Sequence, residues 1–233
     1  MKLYQSKTGY RYNSDSLFLY DFAFCNFKGG PLLDVGCGCG ILGLLMAKNF
    51  SNSSLTSIDI LPLNAKITAK NAELNGIKAN VICADFISWA NENCKQKFSF
   101  IISNPPFYNF GFESENLHLN LARESKNMDF ESFIKSCSRL LMPRAKIAFC
   151  YDVRFLDTIM HTLYINKLKL IKMRVIYPKE QKTAKTALFL CAKSSRSPCE
   201  ILEPLYANLN GVLSSEAQKI YKNAGLESID FDE

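Results

Sequence analysis

A chain of 233 residues, 48% hydrophobic and 21% charged, has room for one sizeable α/β domain with small additions, not for two full ones. These proportions exclude a disordered or fibrous chain. The N-terminal stretch has no apolar run long enough for a signal peptide or a membrane span, so a cytoplasmic location and no membrane partner are expected. The net charge of +6 is unevenly spread. Residues 165–196 carry Lys167, Lys169, Lys172, Arg174, Lys179, Lys182, Lys185, Lys193 and Arg196 against Glu180 alone, +8 in all, which leaves −2 for the rest. Such a stretch suits a polyanion such as RNA; a solvated strand face and loop is the plainer reading. Nine cysteines lie scattered without a disulfide-like framework, and Cys37 and Cys39 lack the spaced partners of a zinc site. Free thiols and no metal are expected.

Strand and helix alternate along the chain. Residues 31–36 (PLLDVG) are a short apolar run ending in a glycine-rich turn, a buried strand, and 41–50 has helical spacing. Residues 55–60 form a second strand, and Pro62 opens a helix running to about 75, before Gly76. Residues 80–85 and 98–103 are the third and fourth strands. An amphipathic helix at 129–141 has Asp129 as N-cap and Pro143 as its stop. A fifth strand at 145–151 and a helix at 153–165 follow, then two strands at 169–177 and 185–192. The alternation predicts a mostly parallel sheet of seven strands covered by helices on both faces, with an antiparallel edge pair. Residues 1–30 are expected to cover the site, 31–195 to form the core, and 196–233 to pack on it as an extension.

The motifs fall at the C-terminal ends of these strands, where ligands sit in open α/β sheets. The first strand closes with Asp34-Val-Gly-Cys-Gly-Cys-Gly40; glycines there let backbone approach a ligand beside a helix N-terminus. Gly38-x-Gly40-x-x-Gly43 also fits the dinucleotide pattern. Asp34 separates the two readings, because a carboxylate before the glycines repels a pyrophosphate and suits the cationic end of S-adenosylmethionine. Asp59, followed by Ile60, ends the second strand where an acid can accept both ribose hydroxyls. Asp85 and Phe86, after the third strand, suit an adenine amine and ring face. Each acid alone reads as a cap or turn; three at successive strand ends do not.

Ser103-Asn104-Pro105-Pro106-Phe107-Tyr108 follows the fourth strand. Two prolines stiffen the loop and remove two N–H donors, so carbonyls dominate its polar face. A planar exocyclic amine has its lone pair delocalised into the ring. The Asn104 carboxamide oxygen and the Pro105 carbonyl can accept its N–H groups as it turns tetrahedral, and Phe107 can stack on the base. Arg123 could grip a phosphate, and Tyr10, Tyr12, Phe107, Tyr108, Phe110 and Phe112 flank the site; exposed or core roles are equally open to them.

In order and spacing the DVGCGCG and SNPPFY loops resemble those of Rossmann-like methyltransferases that act on amines and amides of nucleic acids and proteins. Gly9-Tyr-Arg-Tyr-Asn-Ser-Asp-Ser-Leu17, with Ala122-Arg123-Glu124 and Asp129-Phe130, is similar to segments of the bacterial tRNA(Val) adenine methyltransferase family. That resemblance implies S-adenosylmethionine as cofactor and tRNA as partner, with methylation of an adenine 6-amino group beside the anticodon. It implies that Asp34, Gly36, Gly38, Gly40, Asp59, Ile60, Asp85 and Phe86 bind the cofactor, with Asp15 near its methionine end and Asn104 bordering it. It also implies that Asn104, Pro105, Pro106 and Phe107 hold the adenine. The cysteines between the glycines depart from the smaller residues commoner there. Three other readings share parts of the pattern: a glutamine methyltransferase acting on release factors, a guanine-amine methyltransferase of ribosomal RNA, and a non-catalytic RNA-binding scaffold. Hydride transfer leaves Asp34 and the Pro-Pro loop unexplained. The oligomeric state is open.

Overall fold

The computed structural model describes residues 1–7, 11–105 and 129–231. The chain runs β1 (Lys2–Ser6), α1 (Ser14–Phe24), β2 (Gly30–Val35), α2 (Ile41–Asn49), β3 (Ser53–Asp59), α3 (Pro62–Leu74), β4 (Ala79–Cys83), α4 (Phe86–Glu92) and β5 (Phe98–Ser103). After the undescribed stretch come α5 (Phe130–Leu140), β6 (Leu141–Asp152), a 3-10 turn at Val153–Phe155, α6 (Leu156–Ile165), β7 (Leu168–Lys179) and β8 (Thr186–Lys193). The chain continues through β9 (Glu200–Ile201), β10 (Leu205–Leu209), β11 (Val212–Leu213), α7 (Ser215–Ala224) and β12 (Glu227–Phe231).

The main sheet has the order β11-β10-β7-β8-β6-β5-β2-β3-β4, with β9 beside β7. Its heart is the expected seven strands: β4, β3, β2, β5 and β6 are mutually parallel, while β8 runs antiparallel between β6 and β7. The β7–β8 pair is therefore antiparallel as expected but is not the edge. Leu205 and Tyr206 pair with Ile176 and Tyr177, and the two tyrosine rings stack at 5.2 Å, so β10 and β11 carry the sheet further out. The period-two alternation of the strands feeds two cores. Leu32, Phe100, Ile102, Ala148 and Cys150 face the layer of α1, α2, α3 and α7; Leu33, Val35, Ile101, Ile147 and Phe149 face that of α4, α5 and α6.

Asp129 caps α5 as expected, accepting from Ser132 N at 2.8 Å. The helix ends three residues before Pro143, however, and passes straight into β6. A register shift between the Phe98 and Phe100 pairings takes up Pro143 and Arg144, whose φ is +64°. A bulge tolerates a proline that a regular central strand would not. A separate two-stranded sheet joins β1 to β12 in parallel, Lys2 opposite Glu227 through Ser6 opposite Phe231.

Folding divides the basic stretch. Lys179, Lys182 and Lys185 sit where β7 turns into β8, at the C-terminal end of the parallel strands, while Lys167, Lys169, Lys193 and Arg196 sit at the opposite end. Lys172 pairs with Glu200 at 3.0 Å, Arg174 with Glu216 at 2.7 Å, and the Lys193 ammonium donates to Leu141 O at 3.0 Å. A strand of twelve residues cannot keep its charges on one patch, so the single basic surface expected from sequence becomes two.

Candidate active site

Strand register assembles the site. Asp34 lies opposite Ile102 and Val35 opposite Ser103, so Gly36 and Asn104 leave neighbouring strands side by side, about 5 Å apart. Val35 also lies opposite Ile58, which brings Asp59 beside Gly36, and Asp59 pairs with Cys83 two residues before Asp85. Four consecutive strand ends thus deliver their motifs to one crevice.

The glycine loop is tightly made. Gly36 N and Cys37 N both donate to Ile58 O, at 2.9 and 3.1 Å, and Gly40 N donates to Cys37 O at 2.7 Å. Gly36 has φ +67°, and a Cβ there would meet nothing within 4 Å: the loop is open above. Gly40 has φ +83°, and a Cβ there would lie 2.8 Å from Leu44 Cδ1 and 2.9 Å from Thr68 Cγ2: the loop is packed below. Both positions need glycine, one for conformation and one also for space. Burial pushes the flanking thiols up, Cys39 to about 12, and Cys37 makes a 3.4 Å contact with the Thr68 hydroxyl.

Asp34 lies beneath this loop rather than on its rim. It is fully buried, and its Oδ2 accepts from Gly43 N at 2.9 Å. Among the described residues its Oδ1 and the Ser57 Oγ, which belong to directly opposed positions, have no hydrogen-bond partner. Burial pushes its carboxyl up to about 7; the Gly43 N–H opposes this and the charge of Asp59 adds to it.

Asp59 is nearly buried at the rim. Its Oδ2 accepts from Gly38 N at 2.9 Å and its Oδ1 from Leu61 N at 2.9 Å and Asn64 Nδ2 at 3.1 Å. Burial raises its carboxyl above the usual range against the pull of these three bonds. Oδ2 keeps a lone pair for a further donor. Asp85 is half-buried and caps α4, accepting from Ser88 N at 2.8 Å. That cap turns Phe86 inward, where it is buried with its ring 6.0 Å from Phe133. Ile60, 40% exposed beside Asp59, supplies the apolar rim instead.

On the reacting side, Ser103 Oγ donates to Val35 O at 2.8 Å, tying β5 to β2 at the point where both end. The Asn104 Nδ2 donates to the buried Ser16 hydroxyl at 3.1 Å, and among the described residues its Oδ1 accepts nothing. Ser16 stands in the first turn of α1, which Asn13 caps by accepting from Asp15 N. Asp15 is half-buried there, and desolvation raises its carboxyl. Pro105 is buried. Pro106 and Phe107, with Tyr10, Tyr108, Phe110, Phe112 and Arg123, lie outside the described residues.

Sequence reasoning overlooked the inner face of α3. Asn64 holds Asp59, Thr68 Oγ1 donates to Gly38 O at 2.9 Å, and Asn71 Nδ2 donates to Cys39 O at 2.8 Å and to Tyr4 O at 2.9 Å. Asn71 Oδ1 also accepts from Tyr4 N at 2.6 Å, and Asn75 bonds Lys2 O. Polar residues at 64, 68, 71 and 75 recur with helical spacing on a face that should be apolar. That is the signal that could have found them: a buried polar stripe must be satisfied, and here the glycine loop and β1 satisfy it.

Cradle and rim fit a nucleoside bearing a positive charge. The loop is open above Gly36, two carboxylates and an exposed isoleucine edge it, and no lysine or arginine occurs at 34–40, 59–61 or 85–86 to hold a pyrophosphate. Together with a seven-stranded heart whose β8 is reversed, this arrangement defines a Rossmann-like methyltransferase fold. The crystal structure of a predicted O-methyltransferase from Agrobacterium tumefaciens shares that fold with a TM-score of 0.69 at 16% identity, over 92% of this chain and 99% of that one. Residues 15–129 match the family model of the methyltransferase small domain. A Bacteroides fragilis protein named tRNA1(Val) (adenine(37)-N6)-methyltransferase is 32% identical over 114 residues, 48% of each chain. The ribosomal RNA small subunit methyltransferase C of Hahella chejuensis is 30% identical over 128 residues, 55% of this chain and 32% of that one. The chain thus spans about half or less of the length of these curated relatives. Among the described residues no helix is long and apolar enough to cross a membrane, and no group of three or more His, Cys, Asp or Glu is placed to hold a metal.

Proposed function

We propose that this protein is an S-adenosylmethionine-dependent methyltransferase whose acceptor is the exocyclic 6-amino group of an adenine in the anticodon loop of a tRNA for valine. The observation that carries the reading is the Asn104 carboxamide, anchored through its nitrogen by Ser16 so that its oxygen is left for an incoming donor, one strand away from the open glycine loop. When bound, the cofactor supplies a methyl group on a cationic sulfur, an electrophile that spares the acceptor a strong general base. Asn104 Oδ1 and the Pro105 carbonyl receive the two N–H groups of the amine and hold its lone pair out of conjugation with the ring. The rest is orientation: Ser16 fixes the carboxamide, and Asp59 with Ile60 accepts the ribose and packs the adenine of the cofactor. Burial raises the carboxyls of Asp15 and Asp34, and a cationic ligand beside them would favour their charged forms. The Bacteroides relative supports adenine over other acceptors, and the likeness to the Hahella enzyme makes a guanine amine of ribosomal RNA the second reading.

Incubation with methyl-labelled S-adenosylmethionine and unmodified tRNA, followed by nucleoside analysis, tests this directly. Labelled 6-methyladenosine is expected. Label in N2-methylguanosine of ribosomal RNA would establish the second reading, and label only in a release factor would move the acceptor to a glutamine amide.

A further inference from the structure

At the end of the sheet away from the glycine loop lies an open cleft of about 900 Å³. Arg144 and Lys146 of β6 form one wall, and the segment after β8, Ser194 to Ser197 with Arg196, forms the other; Ala192 and Ile171 floor it. Nothing in the established features of the fold uses it. Three properties make it more than a gap. First, its walls are cationic and hydroxyl-bearing, with no carboxylate among them. Among the described residues the side chains of Arg144, Lys146 and Arg196 have neither an ion pair nor a hydrogen bond, although nearby Lys172 has Glu200 at 3.0 Å. Second, burial, and then the like charges of Lys28 and Lys172, hold Lys146 below the usual lysine range. Cations so placed lack a counter-charge in the protein itself. Third, both walls are held in left-handed backbone, Arg144 at φ +64° and Ser194 at φ +53°, a conformation that non-glycine residues adopt at some cost.

We infer that this cleft binds phosphate, taking the sugar-phosphate backbone of an RNA substrate remote from the reacting nucleotide. The inference rests on the RNA reading of the proposed function. Lys146 lies three residues before Phe149, the partner of Ser103 at the crevice, so the cleft stands at least about 10 Å from the crevice along the strands. Guanidinium, ammonium and serine hydroxyls are the groups that grip phosphate oxygens, and they read no base. The site therefore contributes affinity and orientation, not sequence choice.

The test compares wild-type protein with an Arg144→Ala/Lys146→Ala/Arg196→Ala variant and with a charge-preserving Arg144→Lys/Lys146→Arg/Arg196→Lys variant. Binding of full-length tRNA is measured by fluorescence anisotropy across a salt series, beside binding and methylation of a hexanucleotide carrying the target adenine. For the alanine variant, tRNA affinity should fall by about tenfold or more and the log–log salt slope by about 2 to 3, while the hexanucleotide is bound and methylated as by wild type. The charge-preserving variant should retain most of the tRNA affinity, which separates lost charge from lost fold. Unchanged affinity and slope with tRNA still methylated would overturn this inference alone. A wild-type protein that leaves tRNA unlabelled would overturn the substrate reading and this inference with it.

Discussion

The two ends of one sheet handle charge in opposite ways. At the crevice the acids are bound into the fold: Asp34 to Gly43 N, Asp59 to three donors and Asp85 to Ser88 N. At the far end the side chains of Arg144, Lys146 and Arg196, which line the cleft, have no partner among the described residues. The same ladder of parallel strands carries both. The difference teaches where rigidity is needed. A group that must meet a reacting atom is fixed and partly desolvated before the ligand arrives, whereas a group that grips a flexible polyanion works through screened, long-range attraction and can wait for its partner. Substitutions at the first end should therefore change turnover, fold or pH response; those at the second should change salt-dependent affinity.

The hardest blow to the crevice is Asn104→Ala. It should leave S-adenosylmethionine affinity within about twofold and lower kcat by roughly 100-fold or more, the scale of losing one preorganised acceptor. Single-turnover methylation beside calorimetric titration of the cofactor reads both, and undiminished turnover would remove the carboxamide from the mechanism. Gly43→Ala acts on the fold beneath. Its Cβ would lie 2.8 Å from Leu55 Cδ1 and 2.9 Å from Asp34 Oδ2, so urea melts should show a loss of about 1–3 kcal/mol.

Asp34→Asn sharpens the contrast through pH. The folded carboxyl titrates near 7 and the unfolded one near 3.8, so the native state binds the extra proton between them. The stability that protonation gives is present in full below the lower value and is lost as pH rises through the higher. Wild type should therefore lose ground to the asparagine variant by up to about 1.4 kcal/mol per pH unit across that window. Parallel stability–pH curves for the two proteins would show that Asp34 keeps an ordinary pKa. Ser16→Ala should have the smallest effect. Freed of its anchor, the carboxamide can turn, and kcat should fall by roughly five- to tenfold with little change in KM, while Ser16→Thr keeps the hydroxyl and recovers part of the rate.

The parallel core and the crevice were legible because each strand ends in its own punctuation: glycines after Val35, an acid at Asp59, another at Asp85, and prolines after Asn104. Strand β5 was read to the residue, and the Asp129 cap was visible as a cap. Much of what escaped has one physical reason, that its partners are distant in sequence. Strand β1 and the strands after β8 are short, weakly patterned segments that pair only with β7 or with one another. The burial of Phe86 follows from the Asp85 cap, which local composition does not reveal. The Ser16–Asn104 bond joins residues 88 apart, and no spacing rule connects them. The division of the basic stretch likewise needed the length and direction of β7, not its composition.

The pairing of β1 with β12 has a consequence for how the molecule is made. Tyr4 is fastened by Asn71, and the same carboxamide steadies Cys39 O of the glycine loop. Yet the hydrogen-bonded partner of Tyr4's strand lies some 225 residues downstream. On a ribosome, residues 2–6 must wait for 227–231 to emerge before that ladder closes, and contacts of such long range are the slow ones in folding. The brace on the loop is then completed only once residues 227–231 have emerged, after the parallel core it serves.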